Sequence, residues 1–561
     1  MNAPKLKHSN YTSYFVYRVP EKLELISFIN SCIHCPVKCP HSLPELSSCK
    51  GVECLCFQLN PVQNFPKYFD NSVVAKEPLL PGELQTVDDE PISDKGRIPN
   101  PTTSKTVVLS SANVGKDIKI QLQLYDSYGE KVLRGADDVR VRLVDDVRKL
   151  SQAGRVTDYK NGTYLLTLRT SFPGKIKVLV YIPHFREEWS TYLRWLRHFN
   201  TIFYYKSVYR KGNETQSTLC GPRPNIPGYD VVCNITYENG DDLWFCGAPP
   251  SQNLSCEDLI SVHDYRLIDI GITPGEEFLA KRRGWMDAFK EVTVNVKGKA
   301  IPDNRNLLPT CNKLPKSKTW DLSSPTGYAL NGEYHLSYCR ITKTRDDIKR
   351  CLTNTTLFFT GDSTTRQWFM FLTSYLNCSL TTEKWYTRKW QRYAQCQNKH
   401  INLTIHLHPH NLPFSLAERH PDQTRMRINS IGMVFDKVPS KGKTIFVIYL
   451  FGHLTRHHYY ISREKFRNMI PGLRRALARN KDMYVVIKSP HWFVQSWIIA
   501  VNDYSALFIK QIIMEEFKEF RQQIVYLDYW DMSSAYANTE MHPPNPMLFN
   551  MLRLLFGYAC P

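Results

Sequence analysis

The sequence predicts a multidomain protein in which a β-sandwich is followed by an α/β domain with a parallel sheet. Three observations lead to this prediction. The chain has 561 residues, a length that corresponds to about three domains of ordinary size. Residues 101–183 alternate between apolar and polar side chains, which is typical of sandwich strands. From residue 311 onward, short apolar runs alternate with amphipathic helical patterns, which indicates parallel strands joined by helices.

Residues 1–100 combine a Cys-rich segment with a linker rich in Pro and acidic residues, and we expect them to be poorly ordered. Six cysteines crowd together at Cys32, Cys35, Cys39, Cys49, Cys54 and Cys56. Their first spacing, C-x2-C-x3-C, fits zinc in part, but a zinc finger would need a second matched pair, so disulfides or disorder are preferred. The N-terminus has neither a signal-peptide pattern nor a run of about 18 apolar residues. We therefore expect either that the native chain starts at a different residue or that its export uses a signal that is not recognisable in this sequence.

Residues 101–183 are predicted to form an immunoglobulin-like β-sandwich. Two segments, "DIKIQLQLYD" and "DDVRVRLVD", place every second apolar side chain on one face, namely Ile118, Ile120, Leu122 and Leu124, and then Val139, Val141 and Leu143. The segments "NGTY" and "PGKIKVLV" resemble the closing strands of filamin-type repeats. Residues 184–310 follow as a Cys-rich extension. Its cysteines form an even set whose pairing the sequence leaves open: Cys220, Cys233, Cys246 and Cys256.

Residues 311–561 are predicted to form the α/β domain. The strand "TTLFFTG" runs into the helical segment "DSTTRQWFMFLTSYL", and three more apolar strands follow. Ser363 therefore lies at the carboxyl end of a strand, where such sheets place their active groups. It also begins a helix, whose free N–H groups and dipole can stabilise an oxyanion. The residue types alone fit both a nucleophile and a plain helix cap.

A serine nucleophile needs a base, and His542 is the candidate because it lies in a Pro-flanked loop after the last strand. Asp531, at the end of that strand, is the first candidate for the acid that orients the histidine, and Asp528 and Glu540 are the alternatives. Gly452, at the end of "IYLFG", is a candidate second oxyanion donor. A loop histidine beside prolines without a catalytic role is the competing interpretation.

Charge, cysteines and sequons together indicate the class of partner. The formal net charge of +19 favours anionic partners, such as nucleic acid, anionic lipid or acidic glycans. The even number of cysteines, 16, and eight N-glycosylation sequons fit the oxidising secretory route. The sequon asparagines are Asn10, Asn161, Asn213, Asn234, Asn253, Asn354, Asn377 and Asn402. We therefore expect a glycan as the target and no nucleic acid.

Four ordered motifs carry a family resemblance: "TGDSTTRQW", "FGHL", "VVIKSPHW" and "WDMSSAYANTEMHPP". Together they resemble the PC-esterase domain of the NXPE (neurexophilin and PC-esterase) family, a distant relative of SGNH/GDSL hydrolases and of plant polysaccharide O-acetyltransferases. The sandwich and the Cys-rich extension resemble the neurexophilin-like half. The resemblance covers residues 100–561 and implies a three-layer SGNH-like fold for the C-terminal domain.

The resemblance implies that Ser363 is the nucleophile and His542 the base. It also implies that Gly361 and Asp362 form the turn and that Gly452 and His453 line the oxyanion side. In SGNH relatives an Asp stands three residues before the histidine, but Thr539 stands there in this sequence. The identity of the acid is therefore the open point of the expected triad.

Two functions follow from these observations. The first is an O-acetyltransferase or acetylesterase of the Golgi or ER lumen, or secreted, which acts on glycans such as sialylated chains. It would need no cofactor, with acetyl-CoA considered as the acyl donor. The second is a binding protein that docks a cell-surface partner through the neurexophilin-like half, with a degenerate esterase scaffold. No transmembrane segment is visible in the sequence.

Two clusters complete the candidate residues. The segment "KWYTRKWQRY" interleaves cations with aromatics, which suits stacking on sugars and pairing with their acidic groups. With Arg366, its Trp385, Arg388 and Trp390 are the candidate substrate-binding residues, and packing of the aromatics on the core is the equal alternative. The segment "IHLHPH" places histidines at positions 406, 408 and 410, for which a structural role is preferred over metal binding.

Overall fold

The structure is a computed structural model. It describes residues 92–560 apart from 200, 202, 268–272, 274, 276–277, 280–286, 342–343, 382–392, 411–428 and 494–502. The Cys-rich N-terminal segment lies outside the described residues, and so does the aromatic-basic segment except for Tyr393, which leaves out Trp385, Arg388 and Trp390. Among the described helices, none is both long enough and apolar enough to span a membrane.

Two antiparallel sheets form a β-sandwich in the N-terminal part. The smaller sheet has the strand order β1-β2-β6-β5, with β1 (Lys105–Val108), β2 (Ile118–Gln123), β5 (Arg155–Asp158) and β6 (Thr163–Leu168). The larger sheet has the order β13-β7-β3-β4-β14-β15, with β3 (Arg140–Asp145), β4 (Leu150–Ala153), β7 (Gly174–Tyr181), β13 (Lys290–Val296), β14 (Gly327–Leu330) and β15 (Glu333–Leu336). This architecture confirms the predicted β-sandwich.

The apolar alternation predicted for the sandwich forms its core. On β2, Ile118, Ile120 and Leu122 are all fully buried, and on β3 Val141 and Leu143 are buried with them. The polar residues between them are partly or fully exposed on β2, as expected for a sheet with one inner face. Side-chain alternation therefore sets which face of each sheet points inward.

The larger sheet extends beyond residues 101–183. β13 comes from the region predicted as the Cys-rich extension and pairs with β7 along its whole length. The hairpin β14–β15 comes from the region predicted as the α/β domain and pairs with β4 through Ala329 and Leu330. The sheet thus uses strands from all three predicted regions, a pairing of distant segments that strand periodicity does not reveal.

The Cys-rich extension contains helix α1 (Arg186–Phe199) and a five-stranded antiparallel sheet of order β10-β11-β9-β8-β12. Its strands are β8 (Phe203–Lys211), β9 (Glu214–Gly221), β10 (Val232–Asn234), β11 (Phe245–Gly247) and β12 (Leu259–Leu267). The four cysteines of this region pair among themselves, as Cys220–Cys246 and Cys233–Cys256. Both bonds close short loops, which restricts the unfolded chain.

The C-terminal part is an α/β domain around a seven-stranded sheet of order β17-β18-β19-β16-β20-β21-β22. Its strands are β16 (Thr355–Gly361), β17 (Ser379–Leu380), β18 (Ala394–Asn398), β19 (Leu403–Pro409), β20 (Lys443–Tyr449), β21 (Met483–Lys488) and β22 (Ile524–Leu527). The five strands from β19 to β22 in this order are parallel, whereas β17 and β18 are antiparallel. The parallel strands confirm the α/β domain that the sequence predicts for this region.

Helices cover both faces of this sheet. They are α2 (Arg345–Cys351), α3 (Ser363–Tyr375), α4 (Ile431–Asp436), α5 (Tyr459–Arg479), α6 (Ser505–Glu516), α7 (Trp530–Ala535) and α8 (Asn545–Ala559). Alternate residues of the strands enter two separate apolar cores, as Phe446 and Ile448 do on one face and Ile445 and Val447 on the other. Three further disulfides, Cys311–Cys339, Cys351–Cys560 and Cys378–Cys396, stabilise this part.

A buried ionic network joins the sandwich to the α/β domain. Arg140 of β3 binds Asp138 at 2.5 Å and Asp503, next to α6, at 2.6 Å. His184 binds the same Asp503 at 2.8 Å and Glu188 of α1 at 2.9 Å. Although burial opposes its charge, Glu188 and Asp503 raise the pKa of His184 to about 9. At neutral pH two cations, Arg140 and His184, thus share three carboxylates with very little water nearby.

Removing the guanidinium of this network should destabilise the fold strongly. We expect Arg140→Met to lower the free energy of unfolding by about 3–5 kcal/mol, because Asp138 and Asp503 would stay buried without their main cation. The matched control is Arg169→Met, which removes the exposed Arg169–Asp117 pair and should cost about 1 kcal/mol or less. Urea denaturation of the full chain measures both. Equal losses for the two variants would contradict the assigned role of Arg140.

Candidate functional site

The candidate nucleophile lies in a tight turn between β16 and α3. The last residue of β16, Gly361, has a φ of +154°, and a β-carbon there would lie 2.1 Å from the carbonyl oxygen of Tyr449. Only glycine avoids this collision with the neighbouring strand β20. Asp362 is the N-cap of α3 and Ser363 is its first residue. The serine therefore leaves the sheet edge at the start of a helix, as the sequence predicts.

Asp362 holds this turn together. Its carboxylate accepts from the Thr364 N–H at 2.9 Å, from the Thr364 hydroxyl at 3.0 Å and from the Gly452 N–H at 3.0 Å. Its carbonyl oxygen accepts from the N–H groups of Thr365 and Arg366. Among the first-turn N–H groups, that of Ser363 has no partner within the described part of the chain. It is therefore the N–H group available to an oxyanion on the serine.

Ser363 and His542 are brought into direct contact across 179 residues of sequence. The Oγ of Ser363 lies 2.7 Å from Nε2 of His542, whose loop joins α7 to α8. The serine is half-buried, and the histidine is exposed as a whole residue although its ring is packed mostly against protein. Loss of water around the ring lowers the pKa of His542 from 6.5, against the opposing effect of Asp362, and Arg366 lowers it further. The ring is thus neutral at neutral pH, the form that can accept the serine proton.

The structure does not place Asp531 at the histidine, which corrects the first candidate for the acid. The Asp531 carboxylate accepts from the Ser324 hydroxyl at 2.8 Å and from the Thr326 N–H at 2.7 Å. Burial is the main cause that raises the pKa of Asp531, and the nearby charge of Asp528 raises it further. Its side chain therefore fastens α7 to the segment before β14.

The alternative acids are also engaged elsewhere or exposed. Asp528 binds Lys510 at 2.6 Å and the Trp530 N–H at 2.9 Å, and Glu540 is exposed. Among the residues that the structure describes, no carboxylate pairs with the His542 ring. The contact at the site is a Ser-His pair, and the triad predicted from the sequence is incomplete here.

Gly452 and His453 differ from their predicted role as oxyanion donors. The Gly452 N–H points to Asp362, so it joins the ends of β16 and β20 rather than facing a substrate. Nδ1 of His453 bonds the carbonyl oxygen of His410 at 3.1 Å, which ties β19 to the same edge. Arg366 follows Ser363 by three residues on α3 and is half-buried.

Lys488 is a buried cation of this site that the sequence analysis missed. Its ammonium lies 3.4 Å from the Thr364 hydroxyl and 3.2 Å above the ring centre of Tyr449. Burial lowers its pKa to about 7, although Asp362 raises it. The signal in the sequence is a lysine as the last residue of an otherwise apolar parallel strand, "MYVVIK".

The histidines of β19 pack against aromatic side chains. His406 stacks on Phe358 with ring centres 4.6 Å apart and bonds the Tyr393 hydroxyl at 2.7 Å. His408 lies against the same Phe358 and Tyr393. Burial is the main cause that lowers the pKa of His406 to about 4 and that of His408 to about 3, so both rings are neutral at physiological pH. These contacts give the two histidines a packing role.

Comparison with known proteins finds a family model that matches the region of the site, and two solved structures are among those that share some similarity with the chain. The model of the NXPE family member 4-like C-terminal domain matches residues 334–560, a range that includes both Ser363 and His542. The filamin domain of Lin-41 matches at 21% identity over 15% of this chain and 82% of that one, with a TM-score of 0.14. The bacterial integrin-binding protein invasin matches at 13% identity over 46% of each chain, with a TM-score of 0.12. At TM-scores this low, neither likeness carries an argument about fold or function.

The role of Asp531 can be tested directly. We expect Asp531→Asn to keep Ser363 close to its wild-type rate of labelling by a fluorophosphonate, because the carboxylate contacts Ser324 and Thr326 rather than His542. An Asp that orients a catalytic histidine would instead cost about 10⁴-fold when changed to Asn. A loss of that size, in protein that is still folded by circular dichroism, would restore Asp531 to the triad.

Proposed function

The chain belongs to the NXPE family, and on this premise we propose that it is a secretory-pathway glycoprotein that transfers acetyl groups to or from sugar hydroxyls of glycans. The observation that supports the proposal most is the 2.7 Å contact between Ser363 Oγ and His542 Nε2 at the end of a parallel strand. A serine hydroxyl paired with a neutral imidazole is the minimum apparatus of acyl transfer through an acyl-enzyme. The SGNH-like assignment of the domain is part of this proposal.

The first half of the reaction loads the serine. His542 Nε2 takes the proton as Ser363 Oγ attacks the acyl carbonyl, and the carbon–oxygen bond to the serine forms. The tetrahedral oxyanion lies near the Ser363 N–H at the positive end of α3. Collapse breaks the bond to the leaving group, which takes the proton back from His542. With acetyl-CoA as the donor, the leaving group is the CoA thiol.

The second half unloads the serine by the same steps in reverse. A sugar hydroxyl gives its proton to His542 Nε2 and attacks the acyl carbonyl of the acyl-enzyme, which yields the sugar ester and free Ser363. If water attacks instead, the product is acetate and the enzyme acts as an esterase. Because both outcomes share one acyl-enzyme, access of water to the exposed His542 side of the site decides between them.

Exposed sequons and disulfides support the secretory assignment. All seven described sequon asparagines are exposed, which the glycosylation machinery requires: Asn161, Asn213, Asn234, Asn253, Asn354, Asn377 and Asn402. Ten cysteines of the described part form five disulfides, and such bonds persist in oxidising compartments. An anionic glycan, such as a sialylated chain, fits Arg366 beside the serine and the formal net charge of +19.

A second candidate function, binding of a protein partner through the sandwich, is favoured by one observation. β1 is an edge strand of the smaller sheet, and it exposes Val107 and Val108, followed by Leu109. Exposed apolar edge strands readily pair with another chain. This function does not need Ser363, so the variants below separate it from catalysis.

The enzyme proposal predicts that activity depends on the Ser-His pair. Using the full chain secreted from animal cells, we expect Ser363→Ala and His542→Ala each to lower acetyl transfer or release, from acetyl-CoA or model esters, by about 10³-fold or more. Matched controls are Ser374→Ala, an exposed serine of the same helix, and His400→Ala, an exposed histidine away from the site. Fluorophosphonate labelling of wild type no better than of Ser363→Ala would overturn the proposal.

The same proposal predicts the pH dependence of the reaction. Because His542 acts as a base only when neutral, kcat/KM should fall as pH drops through its pKa in the free enzyme. Its pKa is lowered from 6.5, so the acidic midpoint of the profile should lie below 6.5. Initial rates measured from about pH 4.5 to 8 check this, and a midpoint above 6.5 would contradict the assigned base.

A further inference from the structure

The loop that carries His542 is held by side chains on both sides of the histidine. His491 Nε2 lies 2.9 Å from the carbonyl oxygen of Met541. Gln367 Nε2 donates to the carbonyl oxygen of Pro543 at 2.6 Å, and Asn538 Nδ2 donates to that of Glu540 at 2.7 Å. The backbone carbonyls of residues 540, 541 and 543 thus all accept from side chains.

His491 is a fully buried residue that follows β21. Since a carbonyl oxygen can only accept, the proton of the neutral ring must lie on Nε2 and point to Met541. Nδ1 is then the acceptor, and it lies 3.3 Å from the hydroxyl of Tyr449. Burial and the nearby Lys488 hold the pKa of His491 well below 6.5, so this arrangement persists at physiological pH.

We propose that His491 is a positioning residue of the reaction, which keeps His542 against Ser363 by holding the backbone at Met541. This inference rests on the proposed function of the Ser-His pair. In a triad, an acid on the other ring nitrogen orients the histidine, but no carboxylate of the described residues pairs with His542. The hydrogen bonds to the loop fix the backbone on both sides of His542 and so restrict the position of its ring. The ring then needs no acid to stay within hydrogen-bond reach.

Gln367 acts as the second anchor and ties the base to the helix of the nucleophile. It follows Ser363 by four residues on α3, and residues four apart lie on the same helix face. Its bond to Pro543 therefore links the helix start and the His542 loop within one turn of helix. A shift of α3 moves the serine and the histidine together. His491 provides the corresponding link to the sheet through Tyr449.

The test compares variants that keep or remove the donor to Met541. We expect His491→Phe, which keeps a planar ring without a donor, to slow fluorophosphonate labelling of Ser363 and lower kcat by about 10- to 100-fold, since small misplacements of reacting groups have effects of this size. KM should change little. His491→Gln, whose amide can donate at a similar position, should recover most of the rate. Equal losses for Phe and Gln, or a wild-type rate in folded His491→Phe, would overturn the proposal.

Gln367→Met provides a second test that does not alter the buried core, because Gln367 is half-buried. It removes the donor to Pro543 at nearly constant size, and we expect slower labelling with the melting temperature nearly unchanged. The matched control is Gln511→Met, a half-buried glutamine of α6 that bonds Glu515. Equal rates for Gln367→Met, Gln511→Met and wild type would contradict the second anchor.

Crystal structures separate this proposal from the proposed function. In wild type the Nε2–Oγ distance between His542 and Ser363 is 2.7 Å, and in His491→Phe we expect about 4 Å or more, beyond hydrogen-bond reach. An unchanged distance would overturn positioning by His491 whatever the activity. If wild type is not labelled above Ser363→Ala while the distance does increase in His491→Phe, the proposed function fails and the positioning contact stands.

Discussion

The carboxylate of Asp362 is the interaction on which the arrangement of the site depends. It accepts from Thr364 at the start of α3 and from Gly452 beyond the end of β20, so it joins two strand ends and a helix start through one side chain. The close approach of Gly361 to the carbonyl of Tyr449 allows the turn to be this tight. The N–H groups of Thr364, Thr365 and Arg366 then find their acceptors within Asp362, whereas that of Ser363 has no partner among the described residues. The side chain that caps the helix therefore also fixes the turn from which Ser363 leaves the sheet.

The sequence predicts those parts of the fold and site that depend on local patterns. Alternation on β2 and β3 predicts the inner face of the sandwich, and the strand-to-helix change at Gly361 predicts the location of Ser363. His542 lies in the predicted loop, but its 2.7 Å contact with the serine depends on tertiary packing. Asp531 fails as the acid because its partners, Ser324 and Thr326, lie more than 200 residues earlier in the chain. No local pattern shows on which side of α7 those partners pack.

Hydrogen bonds to the loop backbone, rather than a carboxylate on the ring, hold His542 in place, and this difference affects its chemistry. A carboxylate beside an imidazole both aligns it and stabilises its protonated form, whereas hydrogen bonds to neighbouring carbonyls provide alignment alone. Burial lowers the pKa of His542, and the charge of Asp362 opposes this shift only in part. The Ser-His pair thus keeps its geometry but is a weaker acceptor of protons than a full triad would be. Under the proposed function, such a site suits activated acyl donors, whose carbonyl carbon needs less nucleophilic assistance than that of an amide.

The hairpin β14–β15 limits where this chain can be divided or joined to a relative. The family match begins at residue 334, inside β15, whose partner strand β14 is hydrogen-bonded to β4 of the sandwich. A truncation at that point would divide the hairpin and leave β14 as the sheet edge in place of β15, without the partner strand that covers it. Chimeras between relatives should therefore join well before Gly327. The structural module that can be exchanged is larger than the sequence module that is recognised.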